Sequence, residues 1–328
     1  MRDAALAFLD SLDGYQRALA QWTWPSDDER HRWFYTPTDH GGLPLSSMTP
    51  HQQQRALALL AAGTSEAGYN TAVTIIGLDN ALDRTEGFPS RPRMGRERFR
   101  DPGLYYVRVF GTPGDDRWSC RIGGHHLSLH WTFVDGRMVS TTPSFMGADP
   151  ASSPLVGGVL LRPLAAYEDL GRELVRALPD AIVSPNAPDD IAGGNRPRIS
   201  EGDEPMALLE IFRDDLGPQE RPSSDVRLGR EGVSVADVDI ARTLLDAYAD
   251  RLPDEHRPAF DPSGFRFVWA GGTEAGERHY YRLADDRWVI EYDNTQRDVN
   301  HIHAVLREWT GDFGHDALRA HLREHDHS

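Results

Sequence analysis

The sequence predicts an α+β protein, built from antiparallel β-meanders with flanking helices, as two pseudo-repeated halves sharing one site. Three observations predict it. Apolar residues recur at helical spacing before each of two strand-rich regions. Within those regions the pattern changes to period two, with turn residues between the runs. The order of features in the first region is then met again in the second.

The opening segment, residues 3–21, has helical spacing with acids interleaved. "WTWPSDDERHRWFYTP" is aromatic-rich and reads as partly extended. In "SSMTPHQQQRALALLAAG", Ser47 or Thr49 can cap a helix and Pro50 suits its first turn. "SEAGYNTAVTIIGLDNALD" is a further helix with Ser65 as cap. A basic loop follows, carrying Arg91, Arg93, Arg96, Arg98 and Arg100, which could clamp a carboxylate or simply pair with surface acids. "LYYVRVFG", "DRWSCRIGG", "HLSLHWTFV" and "RMVSTTP" read as a meander, with Asp135–Gly136 as a hairpin turn. "YEDLGRELVRAL" is a helix. The second region runs through a helix in "SVADVDIARTLLDAYADRL", capped by Ser234. Strands follow in "GFRFVWAGG", "RHYYRLADD", "RWVIEYDN" and "HIHAVLRE", and a closing helix in "GHDALRAHLREH".

"YYVRV…DRWSCRI…HHLSLHW" parallels "YYRL…DRWVIEY…HIHAV". Each has paired tyrosines, an arginine, a turn followed by Arg-Trp, and a histidine-bearing strand. This order suggests duplication of an α–β-meander unit. The expected organisation is an N-terminal half over 1–182, a Pro/Gly/Asn/Asp-rich linker over 183–205, and a C-terminal half over 206–328.

Composition removes whole classes of function. The net charge of −16 argues against nucleic acid or an anionic membrane as partner. All 35 basic residues are arginine, so Walker A phosphate binding and Schiff-base chemistry are excluded. A single cysteine, Cys120, excludes an internal disulfide, a cysteine-ligated cluster and a multi-cysteine zinc knot. Cys120 lies in a strand-like run and reads as packed rather than nucleophilic. Neither a signal peptide nor a membrane span is read from the sequence, and the expected compartment is the cytoplasm. Gly-x-Ser-x-Gly, Gly-x-Gly-x-x-Gly and His-Glu-x-x-His are all absent. Trp33, Tyr35, Tyr105, Tyr106, Trp131, Tyr280 and Tyr281 read as core or pocket lining.

The chemistry concentrates in histidine. His125, His126 and His130 fall in "IGGHHLSLHW", and His301 and His303 in "NHIHAVLRE". Residues i and i+2 of a strand share a face about 6.6 Å apart, so His301 and His303 can reach one ion. Arg307 continues that face. His126 and His130 would share a face but lie about 13 Å apart on a regular strand, so this cluster supplies one or two ligands, His125 or His126. A turn through "NTQRDV" sets Glu291 opposite or diagonal to His303. Glu291, His301 and His303 then form a two-histidine, one-carboxylate set with open metal positions, and Glu291 could equally be a general base. Glu291, Arg307 and His130 are the candidate catalytic residues.

"GHHLSLHWTF…TTPSFMGADP" and "EYDN…NHIHAVLRE…GDFGHDALRAHL" resemble domain-of-unknown-function family 3500. "RHRWFYTP", "MTPHQQQRALALL" and "SEAGYNTAVTIIGL" are similar to it too, so the resemblance covers nearly the whole chain. It implies importance for His125, His126, His130, Glu291, Asn300, His301, His303, Asp312 and His321, and it brings no settled reaction.

The expected function is that of a metal-dependent enzyme acting on a small organic molecule. A divalent transition metal is expected, iron foremost, with copper, zinc or manganese as alternatives. The leading reading is a non-haem iron or copper oxidoreductase. Its rivals are a zinc-dependent hydrolase or lyase, and a non-catalytic metal- or ligand-binding protein.

Overall fold

A computed structural model describes residues 1–33, 35–90, 98–155, 158–184 and 232–315. It is an α+β structure whose strands form a mixed, mainly antiparallel sheet system. The chain divides into two compact units. The first comprises Met1–Ser144, Arg251–His256 and Thr310–Ser328. The second comprises Phe145–Asp250 and Arg257–Trp309. The expected linker, 183–205, falls largely outside the described residues.

The first unit begins with α1 (Arg2–Asp10) and α2 (Gly14–Ala20). The single helix expected over 3–21 is thus two, because Asp13 stops the first run and caps the second. Its carboxylate accepts from the Gln16 backbone N–H while the Gln16 side chain accepts from its own N–H. β1 (Gln21–Trp22), α3 (Asp27–Arg30) and β2 (Leu43–Pro44) are short. α4 (Pro50–Ala62) starts as predicted, with Thr49 and Gln52 forming a capping box and Pro50 in the first turn. α5 (Glu66–Thr85) is capped by Ser65, which accepts from the Gly68 N–H at 2.9 Å.

The meander follows as β3 (Tyr105–Phe110), β4 (Arg117–Gly124), β5 (Leu127–Val134) and β6 (Arg137–Ser140). Successive strands pair antiparallel. Asp135 and Gly136, both at positive φ, make the predicted hairpin. A second tight turn falls where Gly123–Gly124 allow the backbone to bend. His125 and His126 connect β4 to β5 between the paired Gly124 and Leu127, and His126 sits at φ +62°. His126 is therefore a turn residue and not part of a regular strand with His130, so the face and spacing argued for that pair do not apply. Cys120 is buried, and burial pushes its thiol pKa up, which leaves it packed and unreactive.

The second unit takes in β7 (Ser144–Ala148), β8 (Ser153–Pro154), β9 (Leu160–Leu161), α6 (Ala165–Ala177), β10 (Ile182–Ser184), β11 (Val233–Ser234) and α7 (Asp239–Ala249). Ser234 does not cap α7. It pairs with Arg266 in the sheet, and the helix starts a turn later behind Val238. β12 (Arg266–Gly271), β13 (His279–Ala284), β14 (Trp288–Gln296) and β15 (His301–Glu308) form an antiparallel meander. Consecutive antiparallel pairing in both units is a common sheet order, and the proposed duplication stays an expectation.

The two faces of this second meander differ in kind. Tyr281 points to the helices: its hydroxyl donates to the Tyr167 carbonyl at 2.9 Å and lies 3.0 Å from the Tyr248 hydroxyl. Trp269, His279 and Tyr292 stack around it. Gly171 of α6 lets the helix approach, since a Cβ there would stand 2.5 Å from a Tyr281 ring carbon. The opposite face carries Tyr280, Arg282, Glu291, Asp293 and His303, all buried. The closing helix expected after residue 314, and Arg91, Arg93, Arg96 and His321, lie outside the described residues.

Candidate metal centre

The strand register builds the site. Tyr280 pairs with Asp293, and Asp293 with His303, so these three side chains form one rung of a single sheet face. The next rung on that face holds Arg282, Glu291 and Val305. Glu291 is accordingly diagonal to His303. The register slips between Asp293 and Gln296, where β14 carries one residue more than β15, and this bulge pairs His301 with Gln296.

His301 and His303 project together. Their Nε2 atoms are 3.0 Å apart and their rings meet at 69°. Each has a buried carboxylate on its other nitrogen: His301 Nδ1 lies 3.6 Å from Asp149 Oδ2, and His303 Nδ1 lies 3.6 Å from Asp293 Oδ2. The Nε2–Nε2 distance is that of a hydrogen bond in which one ring donates to the other, while the two Nδ1–carboxylate distances are longer than a hydrogen bond and leave charge proximity only. The separation suits two imidazoles that share an ion at about 2.0–2.1 Å each.

The carboxylates are themselves held. Asp293 Oδ1 accepts from the Thr295 N–H at 3.0 Å. Asn300 braces the segment after Asp149, with its carbonyl accepting from the Ala151 N–H and its side chain from the Ser152 N–H. That gives the family-implied Asn300 a physical task. Within the second unit, the ligand atoms of His301 and His303 lie close enough to share a metal ion.

The remaining predicted residues have other surroundings. His125 was expected as a ligand, yet both its ring nitrogens are engaged. Arg100 Nη1 donates to Nε2 at 3.3 Å, which leaves Nδ1 to donate to Asp79 Oδ1 at 2.6 Å. The Tyr105 hydroxyl lies 3.0 Å from Asp79 Oδ2 and 2.6 Å from the His125 carbonyl. His125 thus anchors the turn that presents His126. His130 lies 3.1 Å from the Ser128 hydroxyl and edge-on to Phe313. Arg98 pairs with Asp83 and Arg100 with Glu86, but Asp83 and Arg100 are buried, so these are not the surface pairs that the basic-loop reading expected.

Glu291 is fully buried, one rung away from His303 on the same sheet face. Its Oε1 accepts from the Tyr280 hydroxyl at 2.6 Å. Burial raises its pKa to about 7, against the opposing effects of the Tyr280 hydrogen bond and the Arg282 and Arg307 charges. Asp312 is buried in a short 3-10 turn, whose Phe313 carbonyl accepts from Arg30 and Thr132. A surface cleft lined by Trp22, Trp24 and Arg117 contains none of the predicted residues.

Sequence reasoning missed Asp149 and Asp293. Asp293 was within reach, being two residues beyond Glu291 on the same strand face. Asp149 had no local signal.

The fold and site define an α+β protein with a histidine cluster backed by carboxylates. A family model described as "Protein of unknown function (DUF3500)" matches residues 1–315. The chain belongs to that family. No curated protein and no solved structure matches it. No helix among the described residues is long and apolar enough to cross a membrane.

Proposed function

We propose that this protein is a metal-dependent enzyme acting on a small organic molecule, with His301 and His303 as the principal ligands. One observation carries the reading: two Nε2 atoms converge at 3.0 Å while a buried carboxylate stands behind each ring. Carboxylate–histidine pairs fix the tautomer and raise ligand basicity at metal sites.

Oxidoreductase chemistry at non-haem iron or copper is the leading form. Imidazole ligands without thiolate suit those metals and leave positions for substrate and oxidant. Zinc-dependent hydrolase or lyase chemistry is the reading that Glu291 favours. A buried carboxyl with a pKa of about 7 suits a general base next to a metal-activated water.

The test is elemental analysis of untagged protein after reconstitution with iron, copper, zinc and manganese separately. Near-stoichiometric uptake of one metal is expected, together with a raised melting temperature. Background levels with all four would end the reading. Oxygen uptake with candidate substrates then separates redox from hydrolytic chemistry.

A further inference from the structure

One rung along the same sheet face from the histidine pair lies a buried cation whose facing acid, Glu291, feels its charge without hydrogen-bonding to it. Arg282 is 1% exposed, and its Nε and Nη1 have no hydrogen-bond partner among the described residues. A guanidinium carries five donors in a rigid fork. Burying donors without acceptors is costly.

The facing acid does not satisfy those donors. Glu291 stands directly opposite Arg282 in the register, where paired side chains start about 5 Å apart. Even so, Glu291 gives its Oε1 to the Tyr280 hydroxyl, and its Oε2 is buried without a partner. Donors and an acceptor therefore face the same stretch of sheet and neither satisfies the other. Arg307, diagonal to Glu291, adds a second positive charge there. Val305 completes the rung with an apolar surface.

We infer that Arg282 is the binding residue for the carboxylate of a small organic acid, taken up two-pronged by the guanidinium beside Glu291 and Val305. A planar carboxylate matches the Arg fork, each of its two oxygens accepting from one nitrogen of the guanidinium. The inference deepens the metalloenzyme reading and rests on it for the word substrate. Two residues of strand separate this rung from the Asp293–His303 rung, roughly 7 Å. An acid anchored at Arg282 thus extends toward the histidine pair.

The test uses the full chain, first stripped of metal and then reconstituted, at fixed ionic strength with chloride as reference anion. Sodium acetate, sodium oxalate and inorganic phosphate are compared with acetamide, which has the shape of acetate without its charge. In the metal-free parent, acetate or oxalate is expected to raise the melting temperature by several degrees, and acetamide to leave it unchanged. Arg282→Met removes the charge opposite Glu291, so its own melting temperature without carboxylate is the baseline for its shift. It should then show no carboxylate shift. Arg282→Lys keeps the charge without the fork and should bind at least ten-fold more weakly, which decides the matter if Arg282→Met does not fold.

A parent that ignores acetate and oxalate overturns the inference, as does an undiminished shift in Arg282→Met or, where that variant does not fold, parent-like affinity in Arg282→Lys. A larger shift with phosphate overturns the choice of carboxylate. A shift that appears only after reconstitution assigns the acid to the metal and removes the Arg282 site. A shift in protein that takes up no metal keeps the carboxylate site and removes the metal reading instead.

Discussion

Two helix-interior glycines offer the same chemical change with opposite expected signs. Gly171 of α6 and Gly77 of α5 each gain about 1 kcal/mol of intrinsic helix propensity on replacement by alanine. At Gly77 the added methyl meets nothing within 4 Å, so the gain stands. At Gly171 the new Cβ would lie 2.5 Å from Tyr281 Cε1 and 2.9 Å from Cδ1, well inside contact distance. Tyr281 has nowhere to go. It is fully buried, hydrogen-bonded to Tyr167 and Tyr248, and stacked on Tyr292 at 5.0 Å. Relief requires α6 to back away by roughly 1 Å, and overpacking of this kind costs up to about 3 kcal/mol. The net change is a loss of about 2 kcal/mol for Gly171→Ala against a gain of about 1 kcal/mol for Gly77→Ala. At roughly 2 °C per kcal/mol, the two variants should melt about 6 °C apart on opposite sides of the parent. Far-UV circular dichroism melts, repeated as urea titrations, measure this directly. If Gly171→Ala melts with or above Gly77→Ala, the close approach of α6 to Tyr281 is not what holds that helix.

If the proposed site holds metal, His301→Ala and His303→Ala should each lose most of it in elemental analysis, whereas His130→Ala keeps it, since His130 packs against Ser128 and Phe313. Asp293→Asn leaves both histidines in place but removes the charge behind His303, and should weaken metal affinity about 10–100-fold in a competition titration with a chelator. His40 gives a pH prediction. Burial, with help from the Arg121 charge, lowers its pKa to about 3, so folding favours the neutral ring. Stability from this group is full above about pH 6.5 and is lost as pH falls toward 3, because only the unfolded chain takes up the proton. Between pH 7.5 and 5 the parent should lose about 2 kcal/mol from this source, and His40→Gln should flatten the urea-midpoint profile over that window.

Much of this protein is legible in its sequence, for reasons that are local. Thr49, Pro50 and Gln52 start α4, Ser65 starts α5, and Asp135–Gly136 turns a hairpin, because caps and turns are decided within four residues. The His301–His303 pairing follows from strand period alone, as does the likeness of the rung positions 291 and 293. The misreadings were also local in origin. A helical pattern over residues 3–21 concealed the capping box at Asp13, and the spacing argued for His126 and His130 assumed a regular strand where Gly123–Gly124 permit a turn.

What the sequence by itself determined is the inventory: helices and strands in order, and a histidine pair on one face. Tertiary structure alone decided which groups surround that pair. A one-residue bulge in β14 chose Asp293 over Glu291 as the partner of His303. Asn300, reaching back to Ala151 and Ser152, brought Asp149 to His301 from about 150 positions away. Arg100 and Asp79 took both nitrogens of His125 and so withdrew it from the ligand set. Such choices depend on register and on long-range closure. A slip of one residue reverses the face of a side chain without changing any local preference.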